Sequence, residues 1–259
     1  MTRSVFSQTL KEQRRGLIGW SIGLTIVPLM YLPSYQSLKE QGTLDIKQNK
    51  MYDVMGVSDF ASATGYLNAT IFSLMGQLLL LIFAVTFATR SVTQEENGML
   101  DLLLAQPIGR ISLLAQRFAA LAVQTTVVTA VLTLSVLAGA SAGKLDVPAG
   151  HILAACTGLG LLTLAVGTIT LLLGAVTGKR SLTLGLASLV AVAGYLANNL
   201  GGMFDGGEWL RRLSPFYYAN GHAPLVNGWN GFHLVVLIAL AAVALAVALR
   251  AFERRDLAV

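Results

Sequence analysis

Six stretches of the chain are apolar and almost free of charge in their interiors: 16–37, 66–89, 118–142, 152–177, 182–200 and 234–249. Crossing the hydrocarbon core of a bilayer takes about 20 apolar residues as helix, at about 1.5 Å of rise per residue. Each stretch is near or within that range. Charged residues sit at the ends of the stretches, where lipid headgroups and water begin. The pattern predicts an all-α integral membrane protein, a six-transmembrane-helix bundle forming a single domain over 1–259. The first stretch is interrupted by Pro28 and Pro33 and follows a basic start (Arg3, Lys11, Arg14, Arg15), as a signal peptide would. It is long, however, and no Ala-x-Ala-like cleavage site follows it, so it reads as a retained span.

Composition agrees. Hydrophobic residues make up 54% and charged residues 12%, half the roughly 25% charge usual in soluble domains. The net charge of +5 does not indicate a nucleic-acid partner, because the basic residues are spread along the ends of the apolar stretches rather than gathered on one face. Their distribution instead sets topology. If the six stretches span in succession, twelve of the 18 Lys and Arg residues fall on the side that holds both termini, while the acidic residues divide almost evenly. The positive-inside rule then predicts cytoplasmic N- and C-termini. Residues 1–16 read as a short amphipathic helix on the cytoplasmic surface, 90–117 as the long cytoplasmic connection, and 201–231 as a Gly- and aromatic-rich external segment that is re-entrant or interfacial.

Catalytic and coupling chemistry is sparse. Ion-coupled carriers place costly ionisable residues inside their spans, and here the interiors offer only neutral amides: Gln77, Gln124, Asn198 and Asn199. These suit interhelical hydrogen bonds, and Gln77, Asn198 and Asn199 are also weak candidates for the translocation path. His151, His222 and His233 match no metal-binding spacing. Cys156 is the single cysteine, which excludes an intrachain disulfide. Gly139-Ala140-Ser141-Ala142-Gly143 matches Gly-x-Ser-x-Gly but closes an apolar helical run, where a nucleophile elbow would need a strand-to-helix turn. Gly178-Lys179 and Gly143-Lys144 lack the earlier glycine of a phosphate loop. Gly-x-x-x-Gly pairs at Gly19/Gly23, Gly139/Gly143, Gly174/Gly178 and Gly202/Gly206 read as helix packing.

The cytoplasmic connection is the strongest lead. Glu95 and Glu96 suit the first turn of a short helix, Leu100, Leu103 and Leu104 fall on one side of it, and Pro107 stops it. Such a helix, held at the membrane surface, can dock on a partner. The segment Glu95-Glu96-Asn97-Gly98-Met99-Leu100-Asp101-Leu102-Leu103-Leu104-Ala105-Gln106-Pro107-Ile108-Gly109-Arg110 resembles the "E-E-x-G-T-L-D-L-L-L-A-x-P-x-x-R" segment of type 2 ABC-transporter permeases. Met99 stands where that family commonly has Thr. The resemblance extends to Arg14-Arg15-Gly16-Leu17-Ile18-Gly19-Trp20, Gly65-Tyr66-Leu67-Asn68, Leu213-Ser214-Pro215-Phe216-Tyr217 and Ala251-Phe252-Glu253-Arg254-Arg255-Asp256-Leu257, so it covers essentially the whole chain.

The resemblance implies the membrane subunit of an ATP-driven exporter in a bacterial cell (plasma) membrane. It implies six spans per permease, a second permease copy or close homologue, and two cytoplasmic ABC ATPase subunits that bind ATP and Mg, this chain holding no cofactor and no ATPase activity of its own. Carried over by position, Glu95, Glu96, Gly98, Leu100, Asp101, Leu103, Pro107 and Arg110 form the contact with the ATPase. The substrate would be hydrophobic or amphiphilic and would pass between two permease bundles by alternating access, lined by the first, second and fifth spans. An ion-coupled transporter working without an ATPase is the alternative.

Overall fold

The computed structural model describes residues 5–42, 61–96, 109–202 and 206–254, and for 91–96 the backbone alone. Six helices are long and apolar enough to cross a membrane: Val5–Glu40, Ala63–Arg90, Arg110–Ala142, Ala149–Thr177, Arg180–Leu200 and Gly231–Arg254, here spans 1 to 6. No strand occurs among the described residues. The all-α, six-span expectation is met.

The helices run past the apolar stretches because a helix ends where a breaker or cap stops it, not where lipid ends. Span 3 begins at Arg110, just after Gly109, two turns before its apolar stretch. Residues 5–16 are not a separate helix. Val5–Tyr31 is one continuous α-helix, and the turns that follow are short: Leu32–Ser34, with Pro33 in it, then Tyr35–Glu40. Spans 4 and 5 are joined by a tight turn in which Gly178 takes φ +62°, the left-handed conformation that glycine adopts without strain, and its N–H donates to Gly174 O. Across that turn the Thr177 and Thr183 hydroxyls meet at 2.8 Å. Span 6 starts at an asparagine cap, with Asn230 Oδ1 accepting from His233 N.

Span 4 is the most enclosed helix and packs against spans 2, 3, 5 and 6, while span 1 lies along span 3. With lipid tails as apolar as leucine, helices gain most from close backbone approach at small residues. Span 4 shows this directly: a Cβ on Gly160 would sit 2.6 Å from Thr129 Oγ1, and one on Gly167 3.0 Å from Leu121. Around this seam Leu80, Phe83, Phe87, Leu121, Val128, Leu132, Leu159 and Leu162 form the main core. A smaller apolar cluster joins Val5, Leu113, Leu114, Ala175, Ala248 and Phe252. It gathers the start of span 1, the start of span 3, the end of span 4 and the end of span 6. The spans therefore run alternately up and down, and Val5 and Arg254 lie at the same end of the bundle, here the terminal end. The opposite end is the distal end.

One span is irregular. Between Ala63–Leu67 and Gly76–Glu96, span 2 passes through a π-helical segment, Asn68–Met75. Its backbone N–H groups reach one residue further back than in an α-helix, a geometry that recurs at functional positions.

Candidate functional site

At the terminal end, the connection between spans 2 and 3 leaves from Glu96 and returns at Gly109. Gly98, Leu100, Asp101, Leu103 and Pro107 lie outside the described residues. Glu95 and Glu96 do not open a short helix. They lie on the continuous helix Gly76–Glu96, which no Gly or Pro interrupts between Gly76 and Glu96. Arg110 is the first residue of span 3. Beside this connection the helix of span 1 docks on span 3: Gln116 Oε1 accepts from Phe6 N at 3.1 Å, satisfying one of the free N–H groups at a helix start. Arg90 lies over the Phe87 ring at 5.2 Å, and Arg117, next to Gln116 on span 3, is buried.

The amides separate into two places. Asn198 Nδ2 donates to Asn199 Oδ1 at 3.1 Å on span 5, and Asn198 Oδ1 is buried with no partner among the described residues. Gln77, 3% exposed, does not join them. Its Oε1 accepts from Asn220 Nδ2 at 3.2 Å. Gln124 is buried in span 3, its Nε2 without a partner among the described residues.

Asn220 was not legible as a site residue in the sequence. It ends the Pro215–Asn220 helix, one of three short helices, with Glu208–Leu213 and Pro224–Asn227, that form the segment between spans 5 and 6. This segment packs alongside the spans, as a cap on the distal end. Ala219 O would lie 3.1 Å from a Cβ on Gly158, about 13 Å along span 4 from its start at Ala149 at about 1.5 Å per residue. At the front of the cap helix, Ser214 Oγ donates to Gly194 O of span 5 at 2.7 Å and accepts from Phe216 N at 3.2 Å. The fully buried Phe216 ring sets its edge against Tyr195, 5.9 Å between centroids. At the back, Asn220 Nδ2 donates to Phe72 O at 3.1 Å as well as to Gln77. Further on, His151 Nδ1 lies 3.0 Å from Leu225 O, tying the cap to the start of span 4.

The end of the cap brings His222 beside His233 near the start of span 6. His222 and His233 have ring centroids 5.8 Å apart, and His233 also touches Tyr217, Tyr218 and Phe232. With Trp229 and Pro224 they line a small pocket against Ala154 and Gly158 of span 4. His151 is not part of it, and no group of three metal-ligating side chains occurs among the described residues.

The geometry is that of a membrane bundle with two specialised ends: a basic terminal end, where spans 2 and 3 are connected, and a distal cap hydrogen-bonded to spans 2, 4 and 5. No curated protein matches the chain. Residues 3–253 match the family model of the C-terminal domain of the multidrug efflux system permease Rv1217c, and on that match, which spans all six membrane helices, the chain belongs to this family of efflux permeases.

Proposed function

We propose that this chain is the membrane-spanning subunit of an ATP-driven exporter. Two cytoplasmic ATPase subunits, holding ATP and Mg, drive a pair of such bundles (a second copy of this chain or a close homologue) between inward- and outward-facing states. The observation that carries this reading is the family match over 3–253, to the domain of a permease whose name states multidrug efflux. The charge pattern supports a cytoplasmic terminal end, where Lys11, Arg14, Arg15, Arg90, Arg110, Lys179 and Arg180 gather. The spans supply no obvious energy source: their buried polar groups are hydroxyls and amides together with Arg117, and no carboxylate is buried among the described residues. Energy for uphill transport then comes from a partner.

On this reading Glu95, Glu96, Gly98, Leu100, Asp101, Leu103, Pro107 and Arg110 make the ATPase contact. Nucleotide binding shifts a two-state equilibrium of the paired bundles. Substrates are hydrophobic or amphiphilic and pass along the faces of spans 1, 2 and 5; Asn198 and Asn199 are candidates to line the path, and Gln77 stands where span 2 meets the cap.

The test is reconstitution into proteoliposomes with and without the ATPase that co-purifies. A nucleotide-binding subunit of about 30 kDa, an ordinary domain size, should come down with this chain. Extrusion of a lipophilic dye should require ATP. Dye movement under a proton or sodium gradient, with no ATPase present, would instead establish an ion-coupled carrier.

A further inference from the structure

The π segment of span 2 and the distal cap are joined at one residue. In an α-helix the Gly76 N–H would bond to Phe72 O. Here it bonds to Ile71 O, and the approach is so close that a Cβ on Gly76 would lie 2.7 Å from that oxygen. The Phe72 carbonyl is thereby open to a partner from outside the helix, and Asn220 Nδ2 provides it at 3.1 Å. The same NH2 group donates its second hydrogen to Gln77 Oε1. The Phe72 carbonyl can only accept, which settles the Asn220 orientation with nitrogen towards it, and Gln77 then presents its oxygen. At the other end of the cap helix, Ser214 holds span 5 through Gly194 O. The Pro215–Asn220 helix is thus a strut between spans 2 and 5, fastened at both ends by hydrogen bonds to backbone carbonyls.

From Gly76 the helix of span 2 runs unbroken to Glu96, about 30 Å at about 1.5 Å per residue. It carries Glu95 and Glu96, assigned above to the ATPase contact. We infer that Asn220 is a positioning residue that links span 2 to the distal cap, so that movement of span 2 at the terminal end opens or closes the cap. This inference rests on the proposed function. The link has two states by construction. If the π segment reverts to α, Gly76 N–H turns to Phe72 O, and the residues on either side shift register by one position, about 100° of rotation in a helix of 3.6 residues per turn. That rotation turns Phe72 O and Gln77 relative to one another, so the two no longer both face Asn220.

Two measurements test this. In the permease alone, in nanodiscs, hydrogen exchange by mass spectrometry follows peptides covering 68–77 and 215–221. Asn220→Ala and the near-isosteric Asn220→Asp, which has no NH2 to donate, should both raise exchange in both peptides by about tenfold, the scale of a lost buried hydrogen bond. Gln77→Leu, which removes one acceptor, should give a smaller rise. In the reconstituted transporter with its ATPase, the Asn220 variants should keep ATP hydrolysis within about twofold while the number of dye molecules moved per ATP falls about tenfold. Nucleotide should still alter exchange at 68–77 but no longer at 215–221. A merely structural Asn220 would lower hydrolysis and transport together, and that result, or a wild-type ratio of dye to ATP in the variants, would overturn the inference. Unchanged exchange at 68–77 in Asn220→Ala overturns it without reference to any ATPase. A wild-type permease that moves no dye with ATP defeats the proposed function instead, and is recognised as such because the exchange result stands apart from it.

Discussion

Gly139 of span 3 faces the Pro28 carbonyl of span 1 so closely that an added Cβ would lie 2.9 Å from that oxygen. One helical turn on, Gly143 stands in the same relation to the Leu32 carbonyl, with even less room. These two glycines let the backbones of spans 1 and 3 touch, and one turn before Gly139 the Ser135 hydroxyl oxygen, whose hydrogen goes to Val131 O at 2.7 Å, lies 3.3 Å from Thr25 Oγ1. The Gly-x-Ser-x-Gly match at 139–143 is thus part of a packing seam.

That seam yields a contrast. Gly139→Val must push spans 1 and 3 apart or move the carbonyl, and overpacking of this kind costs about 1–3 kcal/mol. Gly19→Ala and Gly23→Ala, in the other early Gly-x-x-x-Gly pair, meet nothing within 4 Å, and in a helix interior alanine is favoured over glycine by about 0.5–1 kcal/mol. Thermal melts of the isolated permease in detergent should show a lower Tm for Gly139→Val and an unchanged or higher Tm for the other two. Equal effects would mean that the motif, and not its neighbour, decides.

The two glycine pairs also show what the sequence could and could not convey. Length and apolarity were enough to locate all six spans, because the bilayer imposes both. The ends were not, because Gly109, Gly178 and Asn230 stop or start helices whatever the hydropathy around them. Which glycine pair packs could not be read, since Gly19/Gly23 and Gly139/Gly143 are the same pattern and differ only in what lies opposite. The π segment was invisible for a related reason. Residues 68–75 are apolar enough for either helix, and the residue that meets the Phe72 carbonyl, Asn220, lies 148 positions downstream. Gln77 stood out as a polar residue in an apolar run, but its partner did not. His222 and His233 have no telling spacing and meet only because the cap folds back on itself.

The cap helix should be more sensitive to its apolar anchor than to its hydroxyl. Ser214→Ala removes the donor to Gly194 O and the N-cap acceptor for Phe216 N, a loss of about 1–2 kcal/mol. Phe216→Ala empties a fully buried site beside Gly194 and Tyr195, and large-to-small changes of that kind cost about 3–5 kcal/mol. Proteolysis of the detergent-solubilised permease, followed at sites within 206–230, should accelerate in both variants and more in Phe216→Ala. The reverse order would mean that the cap is held by polar contacts first.

Cys156 offers a direct report on the core. It is 1% exposed on the enclosed span 4, and a thiol must reach solvent as thiolate to be alkylated. In the folded permease it should resist a membrane-permeant maleimide, and it should label fully after denaturation in SDS. Because it is the single cysteine, the rate of labelling on warming then measures opening of the bundle. Prompt labelling in the native state would show that span 4 is not enclosed as described.

Glu95 and Glu96 lie on the helix Gly76–Glu96, past the end of the apolar stretch 66–89. Around them the terminal end is strongly basic, with Arg90 and Arg110 nearest in sequence. The double reversal Glu95→Lys, Glu96→Lys lies outside the apolar spans, where substitutions usually change stability by no more than about 0.5 kcal/mol. Its effect on the proposed ATPase contact should be large, since two carboxylates assigned to that contact change sign. ATP hydrolysis by the co-purified complex should become insensitive to substrate, and ATP-dependent dye extrusion should fall about tenfold, the scale of one to two kcal/mol of lost coupling. A near-unchanged thermal melt beside lost coupling in the transport assay is a result that a folding defect cannot produce. Wild-type coupling in the doubly reversed protein would remove these two residues from the ATPase contact.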